Sequence, residues 1–364
     1  MGKTRKMTRL ADDLRFLFSR TPCYVVFHVT DRCHLNCAHC FKNGDLTPAS
    51  EELSLTEIDR VSASLGHIKY LTLAGGEPLL RKDLSEIVGI FYRNNALHFL
   101  NLVTNGWFTD RAVSFLRSVM GECPGLKINV GVSVDGPEAV HDHIRRQQGS
   151  FQRALDTLTD VNELALQQAQ ERLFLLAHGT YNALNADHLY PVAQYFAETA
   201  GIPYSIGLIR GRSRDSRCQA IDIDHYVKTQ ADVQMLMNST LHRHFPFRQI
   251  RLGVEALVAR IVYESYANNR CMSTCHAGRR GIVIEADGNL PLCEMKDMSL
   301  GNVRANRYDI MQVLKRRKAR QAIEKVRQQQ CHCTWECFQR LNIVFTPRLY
   351  PEILRHSLHV LGRG

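Results

Sequence analysis

Short apolar runs and amphipathic stretches alternate along the first two thirds of the chain. Runs rich in β-branched and aromatic residues fall at 24–29, 70–73, 99–103, 128–134, 173–177 and 204–209. Between them, apolar residues recur at helical spacing over about 84–94, 109–120, 150–164 and 186–199. Ser54 followed by Glu57 is a capping-box pattern that opens another helix, running to about Leu65. Leu10, Leu14, Leu17 and Phe18 predict a short leading helix over 6–19. Six strand–helix units in succession predict an α/β fold with a parallel sheet and right-handed crossovers. The pattern leaves open whether that sheet closes.

The residues with chemistry collect where such a sheet would use them. A cysteine-rich loop follows the first strand, and Ala74-Gly75-Gly76-Glu77-Pro78 follows the second. Thr104-Asn105-Gly106 follows the third, and the fourth ends in Ser133-Val134-Asp135-Gly136. The sixth runs into Arg210-Gly211-Arg212, with Arg214-Asp215 beyond; this is either a hold for an anionic group or a solvent-facing basic loop. Active sites of parallel barrels lie on the loops after the strand C-termini, so five of six strands deliver candidate residues to one rim.

The last third reads differently. Residues 251–263 predict a helix, followed by Cys271-x3-Cys275, the apolar segment 281–284, a turn at Asp287-Gly288-Asn289, and Cys293. That turn predicts a small hairpin, which would bring Cys275 and Cys293 together. Cys331-His332-Cys333-Thr334-Trp335-Glu336-Cys337 follows, and residues 341–361 predict a docked terminal helix.

Composition narrows the class. At 45% hydrophobic and 23% charged the 364 residues read as globular, and no apolar run approaches the ~20 residues of a membrane span. The basic N-terminus lacks a signal-peptide core, so a cytoplasmic location is expected. Twelve cysteines gathered in short motifs favour metal or catalytic use over disulfides; Cys23, Cys123 and Cys218 stand apart and are expected to pack in the core. The net charge of +10 is spread along the chain. Its densest stretch, Lys315 to Arg320, predicts a solvated helix face, since no aromatic platform for RNA is interleaved with it.

Cys33-x3-Cys37-x2-Cys40 puts three thiols in one tight loop, enough for three corners of a cubane iron–sulfur cluster with one iron left open. The bland alternative is a zinc knuckle. The motif resembles the signature of the radical S-adenosylmethionine (radical SAM) enzymes, with His39 where the family prefers an aromatic residue. The resemblance implies a partial (β/α)6 TIM-like barrel and a 4Fe–4S cluster whose open iron chelates S-adenosylmethionine. That co-substrate is cleaved to a 5′-deoxyadenosyl radical, which takes hydrogen from a substrate. It further implies that Gly75, Gly76, Glu77 and Pro78 bind the methionine amino group and that Ser133 contacts S-adenosylmethionine. Asp135 belongs to the same segment. Arg145, after Val140-His141-Asp142-His143-Ile144, would pair with the methionine carboxylate, and Asn105 is a weaker candidate.

The C-terminal cysteines resemble the SPASM and twitch domains of the same superfamily. Cys275, Gly288 and Cys293 fit their intervals, as does Leu300-Gly301-Asn302-Val303, but the closing C-x-C-x3-C run is too short for full SPASM. The resemblance therefore implies one auxiliary 4Fe–4S cluster held by Cys275, Cys293, Cys337 and Cys333, with Cys271 and Cys331 as rivals; a structural zinc site is the alternative. The expected organisation is a helical extension over 1–21, the partial barrel over 22–235, a small α+β cluster domain over 236–340 and a tail over 341–364. The resemblance implies an oxidoreductase or maturase acting on a peptide or small molecule, with a reductant such as flavodoxin or ferredoxin. No segment reads as a separate peptide-docking domain, so another protein would present a long peptide's leader. A radical SAM enzyme acting on RNA, or a non-catalytic zinc protein binding RNA, are the rival readings.

Overall fold

The computed structural model of the chain describes residues 21–42, 47–168, 171–241 and 248–361. The leading helix expected over 6–19 lies outside them. Strand β1 (Tyr24–Thr30) is followed by α1 (Leu55–Ala63), β2 (Tyr70–Gly75), α2 (Leu84–Asn95), β3 (Phe99–Thr104) and α3 (Thr109–Glu122). Then come β4 (Lys127–Ser133), α4 (Glu138–Arg145), α5 (Ser150–Gln168), β5 (Leu173–Tyr181), α6 (Leu189–Tyr195) and β6 (Tyr204–Leu208). The six strands pair in sequence order, all parallel, as repeated strand–helix units require. In β4, Ile128, Val130 and Val132 are buried while the alternate residues are half-exposed. The buried face joins a core with Leu71, Leu73, Leu100, Leu102, Phe91, Leu116, Leu158 and Val161. Cys23, Cys123 and Cys218 are all buried.

After β6 come α7 (Ile223–Thr240), α8 (Arg248–Ala267), β7 (Gly281–Ile284), β8 (Asn289–Cys293) and β9 (Lys296–Asn302). The chain continues with α9 (Ile310–Lys315), α10 (Arg317–Gln328), α11 (Glu336–Val344) and α12 (Tyr350–Leu361). The hairpin differs from expectation. Residues 281–284 do not pair with 289–293. They form β7, a seventh parallel strand on the open edge of β1, with Tyr24 opposite Gly281 and Phe27 opposite Ile284. The hairpin is instead β8 with β9, antiparallel from Asn289–Asn302 to Cys293–Lys296. The reason is burial: β7 is covered on both faces, whereas β8 alternates. Gly281 also lets the Phe338 ring approach, since a Cβ there would lie 2.6 Å from it. Helix α12 packs along α8, where a side chain at Gly253 would run into Ser357 and the Ile353 carbonyl. Among the described residues no helix is long and apolar enough to cross a membrane.

Arg304 stitches the C-terminal segment to the barrel. Its guanidinium donates to both carboxylate oxygens of Glu57 (2.7 and 3.1 Å) and to the carbonyls of Glu51 (2.9 Å) and Asp287 (3.2 Å). Glu57 also closes the capping box with Ser54. The hydrogen bonds from Arg304 hold its pKa down at about 2. A carboxylate with a depressed folded pKa contributes stability that is present above about 4.5 and is lost as pH falls toward 2. Arg304→Met is therefore expected to cost about 2 kcal/mol at neutral pH and progressively less as the medium is acidified. Urea unfolding of both proteins at neutral and acid pH checks this; an equal loss at both would mean the Glu57 charge is not involved.

Candidate active site

The cysteine loop leaves the C-terminal end of β1 and is pinned from three sides. After β2, the Gly76 and Glu77 N–H groups donate to the Thr30 and Arg32 carbonyls, both at 2.8 Å. From the end of α4, the Ile144 carbonyl accepts the Ala38 N–H at 2.8 Å. After β6, the Arg214 and Asp215 N–H groups donate to the Cys40 and Ala38 carbonyls at 3.1 and 2.8 Å. The glycine pair serves this clamp: a Cβ at Gly75 would strike the Thr30 carbonyl and one at Gly76 the Arg32 carbonyl. The close backbone approach that the glycines permit is thus made by the cysteine loop itself. Pro78 opens the 3-10 turn that follows.

Behind the loop stands a buried polar layer containing most of the residues nominated from sequence. The Glu77 carboxylate accepts from Thr104 Oγ1 (2.8 Å), the Asn105 N–H (2.8 Å) and the Leu79 N–H (3.1 Å). Burial nevertheless raises its pKa. Its bonds fix the turn that aims Asn105 Nδ2 at Cys33 Sγ, 3.9 Å away. Asp135 is fully buried and accepts the Thr180 N–H (2.9 Å) and the Arg145 guanidinium (2.7 Å). Burial opposes its ionisation, but Arg145 overrides burial and holds the carboxyl well below the usual range. The remaining arm of Arg145, Nη1, points at Cys37 Sγ at 3.8 Å. Two residues nominated for S-adenosylmethionine, Asn105 and Arg145, therefore each touch a thiol. Ser133 lies half-exposed at the end of β4, opposite His178 on β5. Burial pushes the Cys33 thiol up to about 11, while the Arg145 charge opposes the same effect at Cys37.

This donor set fits an iron–sulfur cluster. Three thiols lie within electrostatic reach of one another, with a cation beside one and an amide beside another. His39 Nδ1 adds a buried ring nitrogen, 3.9 Å from Asp135, without a hydrogen-bond partner among the described residues.

A second thiol group stands between the β8–β9 hairpin and α11. Cys275, Cys293, Cys331 and Cys333 face one another around a cavity of about 260 Å³, also lined by Trp335, Phe338 and Asn342. Cys271 interacts electrostatically with Cys275 and Cys331 but is not among the residues lining the cavity. Cys337, a ligand implied by the resemblance, is not among the residues lining this cavity. It sits in the first turn of α11, and the charges around it are Arg210, Arg340, Glu336 and Glu294. Cys331, a rival ligand by that resemblance, lines the cavity, and Cys337 does not. Among the described residues no three Cys, His, Asp or Glu side chains converge on a single-ion site. A zinc site needs four ligands at about 2.0–2.3 Å from one ion; the four thiols line one shared cavity, a donor set that suits a cluster.

Between the two thiol groups runs a charged chain that nothing in the sequence pattern announced. His28 is buried on β1, with Nδ1 3.0 Å from Glu285 and Nε2 2.9 Å from Glu294. Burial opposes its charge, but the two carboxylates win and raise its pKa. Lys42 pairs with Glu285 (2.8 Å) and with Asp31, and Arg210 pairs with Glu294 (3.1 Å). Since Glu294 follows Cys293, the chain joins the cysteine loop to the hairpin. His178, also missed, hydrogen-bonds Ser205 at 2.8 Å. Burial lowers its pKa to about 4, and its charged neighbours are Arg210, Asp135, Arg340 and Arg145. It therefore lies between the Arg145 layer and the Arg210 side. Its signal, a histidine in an apolar strand, is indistinguishable in sequence from a packed core residue.

A parallel sheet with three thiols at its C-terminal rim and four more beside it is an arrangement suited to holding iron–sulfur clusters. The sequence profile of the radical SAM superfamily matches residues 27–171, and that of the SPASM iron–sulfur cluster-binding domain matches residues 275–338. The chain belongs to the radical SAM superfamily, as an enzyme carrying a SPASM-type domain. Those domains imply a 4Fe–4S cluster with S-adenosylmethionine and auxiliary iron–sulfur chemistry, and they displace the non-catalytic zinc reading. The sporulation killing factor maturation protein SkfB of Bacillus subtilis is 26% identical over 292 residues, covering 79% of this chain and 64% of SkfB. The GTP 3′,8-cyclase of Bradyrhizobium diazoefficiens is 28% identical over 215 residues, 54% of this chain and 60% of the cyclase. The chain thus spans less than two thirds of either relative. Streptococcus suis SuiB bound to S-adenosylmethionine superposes with a TM-score of 0.57 at 13% identity, covering 84% of this chain and 68% of SuiB. SuiB bound to its precursor peptide SuiA gives 0.50 at 12% identity, over 80% of this chain and 63% of that one. These superpositions carry the partial (β/α)6 fold.

Proposed function

We propose that this enzyme reductively cleaves S-adenosylmethionine and abstracts hydrogen from a peptide, with the second thiol group holding one auxiliary 4Fe–4S cluster. The observation that carries the reading is the rim constellation: Cys33, Cys37 and Cys40, with Asn105 on the first thiol and Arg145 on the second. A cluster held there, with S-adenosylmethionine on its open iron, supplies one-electron cleavage to a 5′-deoxyadenosyl radical. The protein's own part is positional. Glu77 holds the Thr104–Asn105 turn, and Asp135 holds Arg145, whose charge favours the Cys37 thiolate over the thiol. Ser133 and the uncharged His178 occupy neighbouring positions on β4 and β5, where they can offer hydrogen bonds toward the rim. Arg210, beyond β6, is held by Glu294 and lies over Trp335, so a substrate carboxylate would reach it only by sharing or displacing Glu294. The peptide is supported by the maturation role named for SkfB and by the precursor peptide on SuiB. Twelve free cysteines suit a reducing, cytoplasmic setting and a flavodoxin or ferredoxin reductant.

The test is anaerobic reconstitution followed by incubation with S-adenosylmethionine and reduced methyl viologen. Wild type is expected to form 5′-deoxyadenosine, and Cys37→Ala to form none. Iron-loaded wild type that forms none would overturn the reading. For the substrate, a peptide encoded beside the enzyme is expected to lose hydrogen mass; an unchanged peptide and a modified small molecule would overturn that part alone.

A further inference from the structure

Helix α10 is cationic where a helix least favours it. Its first turn holds Arg317, Lys318 and Arg320 with no acidic residue, against the positive end of the helix dipole. Arg317 and Arg320 are a like-charge pair at i,i+3 on the helix, which is also unfavourable. The helix buries only Ala319, Ile323 and Val326, and its one acid, Glu324, is engaged by Arg327 at 3.0 Å. Lys315, Arg316, Arg317, Lys318, Arg320 and Lys325 are all exposed. Repulsion of this kind, left without acidic partners along the helix, suits an anionic surface outside the chain.

The position of the helix says which anionic surface. The end of α10 walls a surface cavity of about 380 Å³, lined by Lys296, Met298, Lys325, Val326, Gln329, Cys331 and His332. Lys296, Val326, Cys331 and His332 also line the cavity of the second thiol group. Arg279, Arg280 and Arg327 add positive charge beside His276, next to Cys275. On its other side the thiol group meets Trp335 and Phe338, stacked 4.0 Å apart. Phe338 contacts Tyr24 of β1 at 5.7 Å, and Arg210 lies 5.6 Å over Trp335. The thiols therefore stand between a cationic outer surface and the aromatic lining of the barrel.

We propose that α10 and the cavity at its end form the docking surface for an acidic one-electron carrier protein, which exchanges electrons with the auxiliary group through the Cys331 edge. The exchange moves one electron from reduced carrier to auxiliary group; no bond forms or breaks and no proton is transferred. Charge complementarity speeds encounter and sets orientation, and the cavity brings the carrier's redox group against Cys331 and His332. RNA fits less well, because 315–329 contains no aromatic residue on which a base could stack. The electron step rests on the iron–sulfur reading above; the docking step does not.

The probe is an acidic flavodoxin, with the full chain as wild type and as Arg317→Glu/Lys318→Glu/Arg320→Glu. Fluorescence anisotropy is expected to show binding that weakens with salt and falls about tenfold or more in the triple variant. Stopped-flow bleaching of the iron–sulfur absorbance is expected to slow to the same degree with reduced flavodoxin, but not with reduced methyl viologen. Unchanged flavodoxin affinity would overturn the proposal. So would a loss of affinity confined to a single-stranded RNA oligonucleotide. Should the chain take up no iron, the functional reading fails while the anisotropy result still decides the docking.

Discussion

Alanine at position 331 is expected to strip the auxiliary iron from the protein, and alanine at position 337 to leave it in place. The measurement is cleanest in a Cys33/Cys37/Cys40→Ala background, where only the auxiliary group can load. Reconstitution should then give about four irons per chain, falling to none in Cys331→Ala and holding at about four in Cys337→Ala. The argument is geometric. Cys275, Cys293, Cys331 and Cys333 share one cavity, while Cys337 opens α11 among Arg210, Glu294, Glu336 and Arg340. All four ligands must lose protons, and burial pushes Cys275 up to about 11 and Cys333 to about 12, so three without the fourth give up much of the compensation that metal binding supplies. Iron lost from Cys337→Ala and kept by Cys331→Ala would return the ligand set to the one implied by the resemblance.

Cys331 and Cys337 mark where sequence reading stops. Three motifs at the rim are legible because each is local: the cysteine spacing, the glycine pair before Glu77, and Asp135 ten residues before Arg145. The strand–helix rhythm is legible for the same reason. Which of two cysteines six residues apart faces a cavity depends on where α11 begins, and Trp335 at its cap is no standard N-cap residue. Residues 281–284 are four apolar positions that fit a hairpin arm or a buried strand equally. Only the open edge of β1 and the Phe338 ring decide between them. The His28–Glu285–Glu294 chain is assembled from residues more than 250 positions apart, and Gly75 and Gly76 admit a carbonyl whose loop lies forty-odd residues upstream. No window of sequence contains either relation. The resemblance to a family supplied roles for Asn105 and Arg145 toward a co-substrate, and the geometry adds a nearer role toward the thiols. The two are compatible, since a residue that braces a cluster ligand lies next to whatever that cluster holds.

Arg145 separates stability from chemistry in one experiment. Arg145→Met leaves the fully buried Asp135 carboxylate without its cation, which is expected to cost about 3–5 kcal/mol of folding stability. A loss of iron in that variant proves little, because the fold itself is weakened. The second substitution, Asp135→Asn, removes the stranded charge while still offering an oxygen to the Thr180 N–H. The double variant is therefore expected to recover most of the urea midpoint. If Arg145 served only as the partner of Asp135, iron loading of the barrel would recover with it. The guanidinium also donates to Cys37 Sγ at 3.8 Å, and its charge opposes the rise that burial imposes on that thiol. Residues that orient and charge-balance a metal ligand are typically worth ~10–100-fold in metal affinity or activity. The double variant should accordingly fold like the wild type yet hold barrel iron, and form 5′-deoxyadenosine, ~10–100-fold less well. Recovery of all three together would reduce Arg145 to a structural counter-ion, and the Cys37 contact to a bystander.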